Sequence, residues 1–263
     1  MIDALTVHRQ PIIDALAVAC DAARNRGVNA WGDDLADRLF AFASRGKLLR
    51  GSFVAAGCDA FGVPPSSAAY RVGAAMELIQ SFLLVHDDIM DQDAIRRGHP
   101  AVYEQYRRIG VERGYSGPQR FAESMGICAG DVAMLLAFQT ICALDVPADV
   151  RCSVADSVAR EIADVGVAQM GDVAHGHATE PVSEEEILSV YRFKTGRYTF
   201  SLPLMTGGML AGAPADSIER LGEWGELQGI VFQIRDDQLG LIGESHEIGK
   251  PAGSDIRSNK QTL

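Results

Sequence analysis

The sequence predicts an all-α fold, and three observations support this. The chain has 263 residues, of which 47% are hydrophobic, so it can bury one substantial core. Apolar residues recur at the spacing of helix faces, whereas the alternating β-branched pattern that marks strands is scarce. Glycine and proline separate these segments without dominating the composition. We therefore expect a single domain over residues 1–263.

The predicted helices follow one another along the chain. They cover residues from about 3–26, 33–43, 122–144, 149–174 and 216–241. A long helix begins after Pro64-Pro65-Ser66 and runs into an acidic cluster at 87–91. Ser183, followed three residues later by Glu186, fits a capping box at the start of another helix. Residues 110–118 are predicted to form a loop.

The charge balance and the cysteines narrow the function classes. The formal net charge of −11 argues against nucleic acid or an anionic membrane surface as the main partner. The N-terminus lacks a signal-peptide pattern, and we find no apolar run of the ~18 to 20 residues that a membrane span needs. Because the five cysteines show no CxxC spacing, we expect them to be reduced core residues of a cytoplasmic protein. They are Cys20, Cys58, Cys128, Cys142 and Cys152.

An acidic cluster followed by two arginines is the first chemically distinctive motif. Asp87 and Asp91 are four residues apart, so on a helix they project from one face, with Asp88 beside them. Neighbouring carboxylates repel each other unless a cation lies between them, and hard oxygen ligands suit Mg²⁺. Arg96 and Arg97, just downstream, carry planar guanidinium groups suited to phosphate oxygens. The motif thus combines carboxylates that suit a metal ion with guanidinium groups that suit a phosphate.

A second acidic pair, Asp236-Asp237, follows another apolar helical run. Gln233 precedes Asp237 by one turn, so the two side chains can share a face. A single acidic run is most often a solvated helix end, and the first motif alone leaves that interpretation open. Two Asp-Asp pairs that each end an apolar helix are hard to explain as chance surface charge.

With these motifs, the chain closely resembles the trans-isoprenyl diphosphate synthases (polyprenyl synthetases) from about Gly46 to Leu263. The resemblance implies an antiparallel helical bundle of the isoprenoid synthase type around a central cavity for diphosphate and Mg²⁺, and a homodimer. It implies prenyl transfer, in which an allylic diphosphate of C5 to C15 ionises and alkylates isopentenyl diphosphate. Family members continue with further helices, so the resemblance also implies that the last C-terminal helices are absent from this chain.

The resemblance also assigns roles to individual residues. Three Mg²⁺ ions are expected with substrate bound, held by Asp87, Asp91 and Asp236. The allylic diphosphate is assigned to Arg96, Lys194, Thr195, Gln233 and Lys250. Isopentenyl diphosphate is assigned to Lys47, Arg50, Gln80 and Arg97, and Lys260 to a lid that closes over substrate. The expected catalytic set is Asp87, Asp88, Asp91, Lys194, Asp236 and Asp237, with Asp88 and Asp237 in supporting roles.

Product length is expected to depend on the residues four and five positions before Asp87, which are Leu83 and Phe82. In the resembled family, bulky aromatic residues here form a floor beneath the growing chain. A single aromatic at the fifth position favours a C20 product, geranylgeranyl diphosphate, with farnesyl diphosphate as the second choice. One departure from the family pattern is Gln80, where many members carry histidine; glutamine can donate hydrogen bonds but carries no charge.

Two other interpretations stay open. A class I terpene cyclase shares the fold and the first motif but typically carries an Asn/Asp–Ser–Glu second metal site. Asp236-Asp237 followed by Lys250 matches the transferase pattern instead, as do Lys47 and Arg50. A non-catalytic partner subunit is expected to lose one acidic motif, and this chain retains both.

Overall fold

The computed structural model describes residues 5–24, 26–242 and 262–263, with the backbone alone at 240–242. Most of this part of the chain is helical and only four residues lie in strands, which confirms the predicted all-α class. The helices are α1 (Arg9–Arg24), α2 (Trp31–Ser44), α3 (Leu49–Asp59), α4 (Ser67–Met90), α5 (Val102–Glu112), α6 (Pro118–Cys142), α7 (Ala148–Gly176), α8 (Glu184–Val190), α9 (Leu202–Leu210) and α10 (Ala215–Ile242). Strands β1 (Ile95–Arg96) and β2 (His99–Pro100) pair antiparallel, and a π-helical segment, Tyr191–Ser201, joins α8 to α9.

The observed helices agree with the predicted ones to within a few residues at α2, α6, α7 and α10. The capping box is also confirmed, because Ser183 Oγ accepts the Glu186 N–H at 3.3 Å and Glu186 Oε2 accepts the Ser183 N–H at 3.0 Å. The loop at 110–118 is wrong in its first part, since α5 continues to Glu112. The sequence analysis also missed the rest of α5, the hairpin and the π-helical segment.

The chain divides into two compact units, one comprising residues 1–52 and 70–144 and the other residues 53–69 and 145–263. The expected single domain therefore stays a prediction. The first unit has a core of buried side chains from α2, α4, α5 and α6, including Phe42, Val85, Tyr103, Tyr106 and Ala122. Each large apolar side chain buried there contributes roughly 1.5–3 kcal/mol. This core fixes the C-terminal half of α4, where the first acidic motif begins.

Two helices in the described part of the chain, α4 and α6, are long and apolar enough by length and composition to cross a membrane. This corrects the sequence analysis, which found no such run. Only two charged residues of α4, Arg71 and Glu77, precede the acidic motif, so the rest of that stretch forms an apolar window. Within the protein, 61% of that window is buried, against 39% in α6, and the core helices of soluble proteins pass the same test.

The five cysteines do not all lie in the core. Cys20 and Cys58 are buried, and burial raises the pKa of their thiols to about 12 and about 11. The other three are exposed, so the expectation is wrong for Cys128, Cys142 and Cys152. They lie on helices whose apolar surface is wider than the part that other helices cover. On α6, for example, Leu135 is 60% exposed.

Within the second unit, residues of α3 and α9 cross at two glycines. A Cβ atom on Gly207 would lie 2.2 Å from the carbonyl oxygen of Val54, and one on Gly57 would lie 2.3 Å from that of Leu204. Both neighbours are backbone atoms, which cannot swing away as a side chain can. Close contact of the two helices therefore requires glycine at both positions.

We expect the Gly207→Ala variant to lower the free energy of unfolding by about 2 kcal/mol or more, because the added methyl overlaps a backbone carbonyl. Urea unfolding followed by circular dichroism measures the change. Gly166→Ala on α7 is the matched control, since nothing lies within 4 Å of its added Cβ, and it should stabilise the protein by about 0.5–1 kcal/mol. An unchanged or raised midpoint for Gly207→Ala would show that the crossing is not tight.

Candidate functional site

The first acidic motif is organised around the buried carboxylate of Asp88. Asp88 is completely buried, and its Oδ1 accepts a hydrogen bond from Arg96 Nε at 2.6 Å. The Arg96 guanidinium also contacts Asp93 at 3.3 Å and Asp87 at 3.6 Å, so one arginine contacts three carboxylates. Burial raises the pKa of Asp88 to about 6, and the charge and hydrogen bond of Arg96 oppose that shift. Arg96 is thus held by acidic side chains, with 10% of its side chain exposed.

Asp87 and Asp91 are more accessible than Asp88. The Asp87 side chain is 20% exposed, and Asp91 is exposed directly after the last residue of α4. The Asp91 N–H donates to the Asp87 carbonyl at 2.8 Å, which extends the helical turn and keeps the two residues one turn apart. The three aspartates therefore differ in environment, with Asp88 turned into the protein and the other two nearer the surface.

These carboxylates fit a Mg²⁺ ion by donor type. Mg²⁺ commonly takes one or two protein carboxylates and completes its octahedron with water and substrate phosphate. Across the described ranges, no three His, Cys, Asp or Glu side chains are grouped so as to hold a metal by themselves. Asp87 and Asp91 accordingly fit an ion that needs further oxygen ligands from water or substrate. The roles of the metal residues stay predictions.

The hairpin after α4 carries Arg97 at its tip. Arg97 and Gly98 both have positive φ, at 53° and 73°, as the two central residues of a tight hairpin turn require. Arg97 Nη1 donates to the Phe42 carbonyl at 3.4 Å, and a Cβ atom on Gly46 would lie 2.8 Å from Nη1. Arg97 thus reaches the turn that carries Lys47. A side chain at position 46 would displace the arginine from this contact.

Buried Glu77 links the two basic elements of the first unit. Its Oε1 accepts the Gly51 N–H at 2.9 Å, and its carboxylate also accepts the Arg50 N–H. Burial raises the pKa of Glu77, whereas the charges of Arg50 and Arg97 and both backbone hydrogen bonds oppose the shift. The sequence analysis assigned no role to Glu77. A charged residue inside an apolar helix was the available signal, since such residues are seldom buried without a partner.

The remaining predicted isopentenyl diphosphate residues have different environments. Lys47 is exposed, Arg50 is half-buried at the start of α3, and Gln80 is half-buried one turn beyond Glu77. A cavity of about 270 Å³ opens beside this region and is lined in part by Phe42, Arg96 and Arg97. The charges of Arg50 and Arg97 thus both act on the buried Glu77 carboxylate, whereas Lys47 lies at the surface.

The second acidic pair, in the other unit, repeats the pattern of the first. Asp236 is exposed, whereas Asp237 is only 5% exposed. Asp237 accepts a short hydrogen bond from the Tyr191 hydroxyl and a second from Gln233 Nε2 at 2.8 Å, so the predicted shared face of Gln233 and Asp237 is observed. Thr195 Oγ1 donates to Gln233 Oε1 at 2.7 Å and extends the chain of contacts. Burial, followed by the bond to Asp237, raises the pKa of Tyr191.

Lys194 lies in the π-helical segment and pairs with Asp172 of α7 through a short contact. π-Helical turns are rare and often occur at functional sites. Here the segment packs tightly on α10, since a Cβ atom on Gly229 would lie 2.3 Å from the Gly196 Cα. The sequence analysis missed both Asp172 and Tyr191 as partners, because their contacts span 22 and 46 residues along the chain.

The two product-length residues lie on α4, and both are half-buried. The Phe82 ring meets His86 edge-on, with 4.8 Å between ring centroids. His86 is itself fixed against α6, since its Nε2 lies 3.1 Å from the Ile127 carbonyl oxygen and a Cβ on Gly130 would lie 2.4 Å from the same nitrogen. The roles of Phe82 and Leu83 in product length stay predictions. Lys250 and Lys260 lie outside the described residues.

This chain belongs to the polyprenyl synthetase family, whose sequence profile matches residues 33–263. It is 35% identical to a geranylgeranyl diphosphate synthase of Sulfolobus acidocaldarius over 84% of this chain and 62% of the relative. It is 32% identical to a farnesyl diphosphate synthase of Geobacillus stearothermophilus over 85% of this chain and 71% of that enzyme. The chain thus spans less than two thirds of the first of these relatives.

A solved structure has the same helical fold. A geranylgeranyl pyrophosphate synthase from Corynebacterium glutamicum, crystallised with isoprenyl diphosphate and magnesium, aligns with a TM-score of 0.89 at 31% identity. The alignment covers 97% of this chain and 74% of that one. The predicted fold type, an isoprenoid synthase helical fold, is therefore confirmed.

The Asp88–Arg96 pair gives a test that depends on pH. Arg96→Gln leaves a buried carboxylate without its cation, so we expect the free energy of unfolding at pH 7.5 to fall by about 3 kcal/mol. Asp88 already has a folded pKa of about 6, above its usual 3.8, and loss of Arg96 raises it further. The penalty is complete above the folded pKa, declines between the folded and unfolded pKa values, and disappears below 3.8, because Asp88 is then neutral in both states.

Urea midpoints of the variant and the parent protein, at pH 7.5 and pH 4.5 with EDTA, measure this dependence. The gap between the two proteins should narrow at pH 4.5. Arg160→Gln removes an exposed arginine paired with Asp156 and serves as the control, with no change expected at either pH. A gap that is equal at both pH values would show that Arg96 acts by packing rather than by neutralising Asp88.

Proposed function

We propose that this chain is a Mg²⁺-dependent prenyltransferase that condenses isopentenyl diphosphate with an allylic diphosphate. One observation carries the proposal: an acidic cluster centred on Asp88 and a basic cluster of Arg50 and Arg97 lie in the same compact unit. Such a unit has hard oxygen ligands for a metal that binds the allylic diphosphate. It also has guanidinium groups for the diphosphate of the second substrate, isopentenyl diphosphate. Membership of the polyprenyl synthetase family supports the same reaction class.

In the proposed reaction, the allylic C–O bond breaks and diphosphate leaves with the electron pair. The double bond of isopentenyl diphosphate supplies the electrons for the new C–C bond, and the released diphosphate takes the proton that is lost. Asp87, Asp91 and Asp236 are the residues that would hold Mg²⁺, with three ions when substrate is bound. Bound Mg²⁺ supplies the charge neutralisation that a departing diphosphate needs.

The chain's own residues bind and orient the two substrates in this proposal. Lys194 and Gln233 contact the allylic diphosphate, assisted by Arg96, Thr195 and Lys250. Lys47, Arg50, Gln80 and Arg97 bind isopentenyl diphosphate, and Lys260 acts in the lid. Asp88 and Asp237 keep Arg96 and Gln233 in place, which the observed hydrogen bonds support.

We propose geranylgeranyl diphosphate as the product, with farnesyl diphosphate as the second candidate. The fixed position of the Phe82 ring against His86 supports a rigid floor for a growing chain. One similar relative is named a geranylgeranyl diphosphate synthase and another a farnesyl diphosphate synthase, so the comparisons leave both product lengths open.

We further propose a homodimer that works in the cytoplasm. The exposed apolar side chains of Ile127 and Leu135 on α6, at 41% and 60%, support a second copy packing against that helix. The whole chain is proposed to act as a single polyprenyl synthetase domain. Because α4 and α6 are apolar enough to pass a membrane test, fractionation of cells that express the chain provides a direct check of this location.

The reaction is tested by mass spectrometry of the products that the full chain forms from isopentenyl diphosphate, Mg²⁺ and C5, C10 or C15 primers. We expect a C20 diphosphate from each primer, because the same floor limits all three. Hydrocarbons formed from primer alone would indicate a terpene cyclase. No turnover, together with no Mg²⁺-dependent thermal stabilisation by a bisphosphonate, would indicate a non-catalytic subunit.

The floor is tested separately with Phe82→Ala. We expect the main product to lengthen by at least one C5 unit, because the phenyl ring no longer blocks the end of the chain. Leu84→Ala is the matched control, since Leu84 lies two residues away on α4 and packs against the core cluster instead. The control should lose stability and keep its product length. If Phe82→Ala yields the parent product, Phe82 is a core residue without a role in length.

A further inference from the structure

The start of α3 is shaped in an unusual way. Leu48, the residue before the helix, has a positive φ of 53° and a side chain that is 1% exposed. A leucine side chain has no oxygen with which to cap a helix. The N–H groups of the first helical turn lack intrahelical partners and need an acceptor from elsewhere. Glu77 of α4 provides one, because its carboxylate accepts the N–H groups of Arg50 and Gly51. A side chain from another helix thus caps α3.

The fit around this cap is tight. A Cβ atom on Gly51 would lie 3.1 Å from the Gly73 carbonyl oxygen and 3.0 Å from Ile12 Cδ1, so α3 and α4 approach each other closely at this point. Glu77 is 4% exposed and lies among apolar neighbours. A carboxylate there is stable only when hydrogen bonds and positive charge compensate for its lost hydration.

That compensation comes from the groups that the proposed function assigns to isopentenyl diphosphate. Arg50 and Arg97 are the charges that act on Glu77, and Gln80 follows it by one turn. Arg97 is also fixed at the other side, by the Phe42 carbonyl and the close contact with Gly46. The two arginines would otherwise repel each other, because both are positive and lie near the same buried position.

We propose that Glu77 is the positioning residue of the isopentenyl diphosphate subsite: it caps α3 and holds Arg50 and Arg97 in the orientation that receives the diphosphate. The inference rests on the proposed function and adds a residue that has no contact with substrate. Glu77 acts through the helix start and through the two arginines. Its effect should therefore fall on one substrate and leave the other unchanged.

Glu77→Gln tests this inference, because glutamine keeps the size of the side chain and one acceptor oxygen but loses the charge. The amide NH₂ group of the glutamine is a donor, so one backbone N–H that the carboxylate accepts would lose its acceptor. We expect the KM for isopentenyl diphosphate to rise about tenfold, the loss typical of one charged hydrogen bond. The KM for the allylic primer and kcat should stay within about twofold, since Lys194 and Gln233 belong to the other unit and Arg96 is held by Asp88.

Glu104→Gln is the matched control. Glu104 is also a buried glutamate of the first unit, 8% exposed and paired with Arg107 at 2.6 Å, but it takes no part in the proposed subsite. It should lower stability without moving either KM. Glu77→Asp keeps the charge with a shorter reach, so it should give a smaller rise, and it decides the question where Glu77→Gln does not fold.

Calorimetric titration of the parent protein and the variants with isopentenyl diphosphate alone provides a second readout that needs no turnover. A parallel loss of affinity in Glu77→Gln supports the inference even if the parent protein proves inactive, in which case only the proposed reaction fails. An unchanged or tighter affinity for isopentenyl diphosphate overturns it, because Glu77 would then be a structural or repelling charge. Equal rises in both KM values also overturn it, since they indicate a general loss of structure.

Discussion

The buried ion pair of Asp88 and Arg96 is the interaction on which the first unit's site depends. Asp88 lies in the last full turns of α4, which the aromatic core fixes, and Arg96 lies in β1 of the hairpin that follows. Two buried charges are costly to desolvate, and removing either one leaves the other uncompensated. The pair therefore holds the hairpin to the end of α4. Because Arg97 is the next residue, its approach to the turn at Gly46 follows from the same contact. One ion pair thus fixes the acidic motif and orients the basic one.

The second acidic pair meets the same physical demand with neutral donors. Asp237 is buried like Asp88, but it receives hydrogen bonds from the Tyr191 hydroxyl and the Gln233 amide instead of an arginine. In both pairs one aspartate is buried as an anchor and the other stays nearer the surface. Such a division is useful at a metal site, because a ligand carboxylate must keep a fixed orientation while its oxygens stay accessible. Gln233, fixed by its hydrogen bond to Asp237, in turn accepts a hydrogen bond from Thr195.

The sequence was informative where the signal is periodic or local. Helix positions, the capping box at Ser183 and the shared face of Gln233 and Asp237 depend on spacings of three or four residues, which a helix converts directly into contacts. The sequence was uninformative where a contact closes a long loop. The partners of Lys194 and Asp237, Asp172 and Tyr191, are 22 and 46 residues away. The predicted burial of the cysteines was wrong for three of the five, because an apolar neighbourhood along the chain does not show which face of a helix another helix covers.

Backbone strain in the described part of the chain is concentrated at the proposed site. The non-glycine residues with positive φ are Leu48, Gln92 and Arg97. Leu48 lies between Lys47 and the start of α3, Gln92 follows Asp91, and Arg97 is itself a proposed ligand. Each such residue costs about 1 kcal/mol or more, so the conformation persists only where the surroundings over-determine it. Glu77 stabilises the strained conformation at the start of α3, and Asp88 stabilises the one at the hairpin. Each carboxylate binds the segment next to the strained residue. The buried carboxylates and the strained turns are therefore two parts of one arrangement, in which burial of charge maintains backbone conformations that present basic groups to an anion.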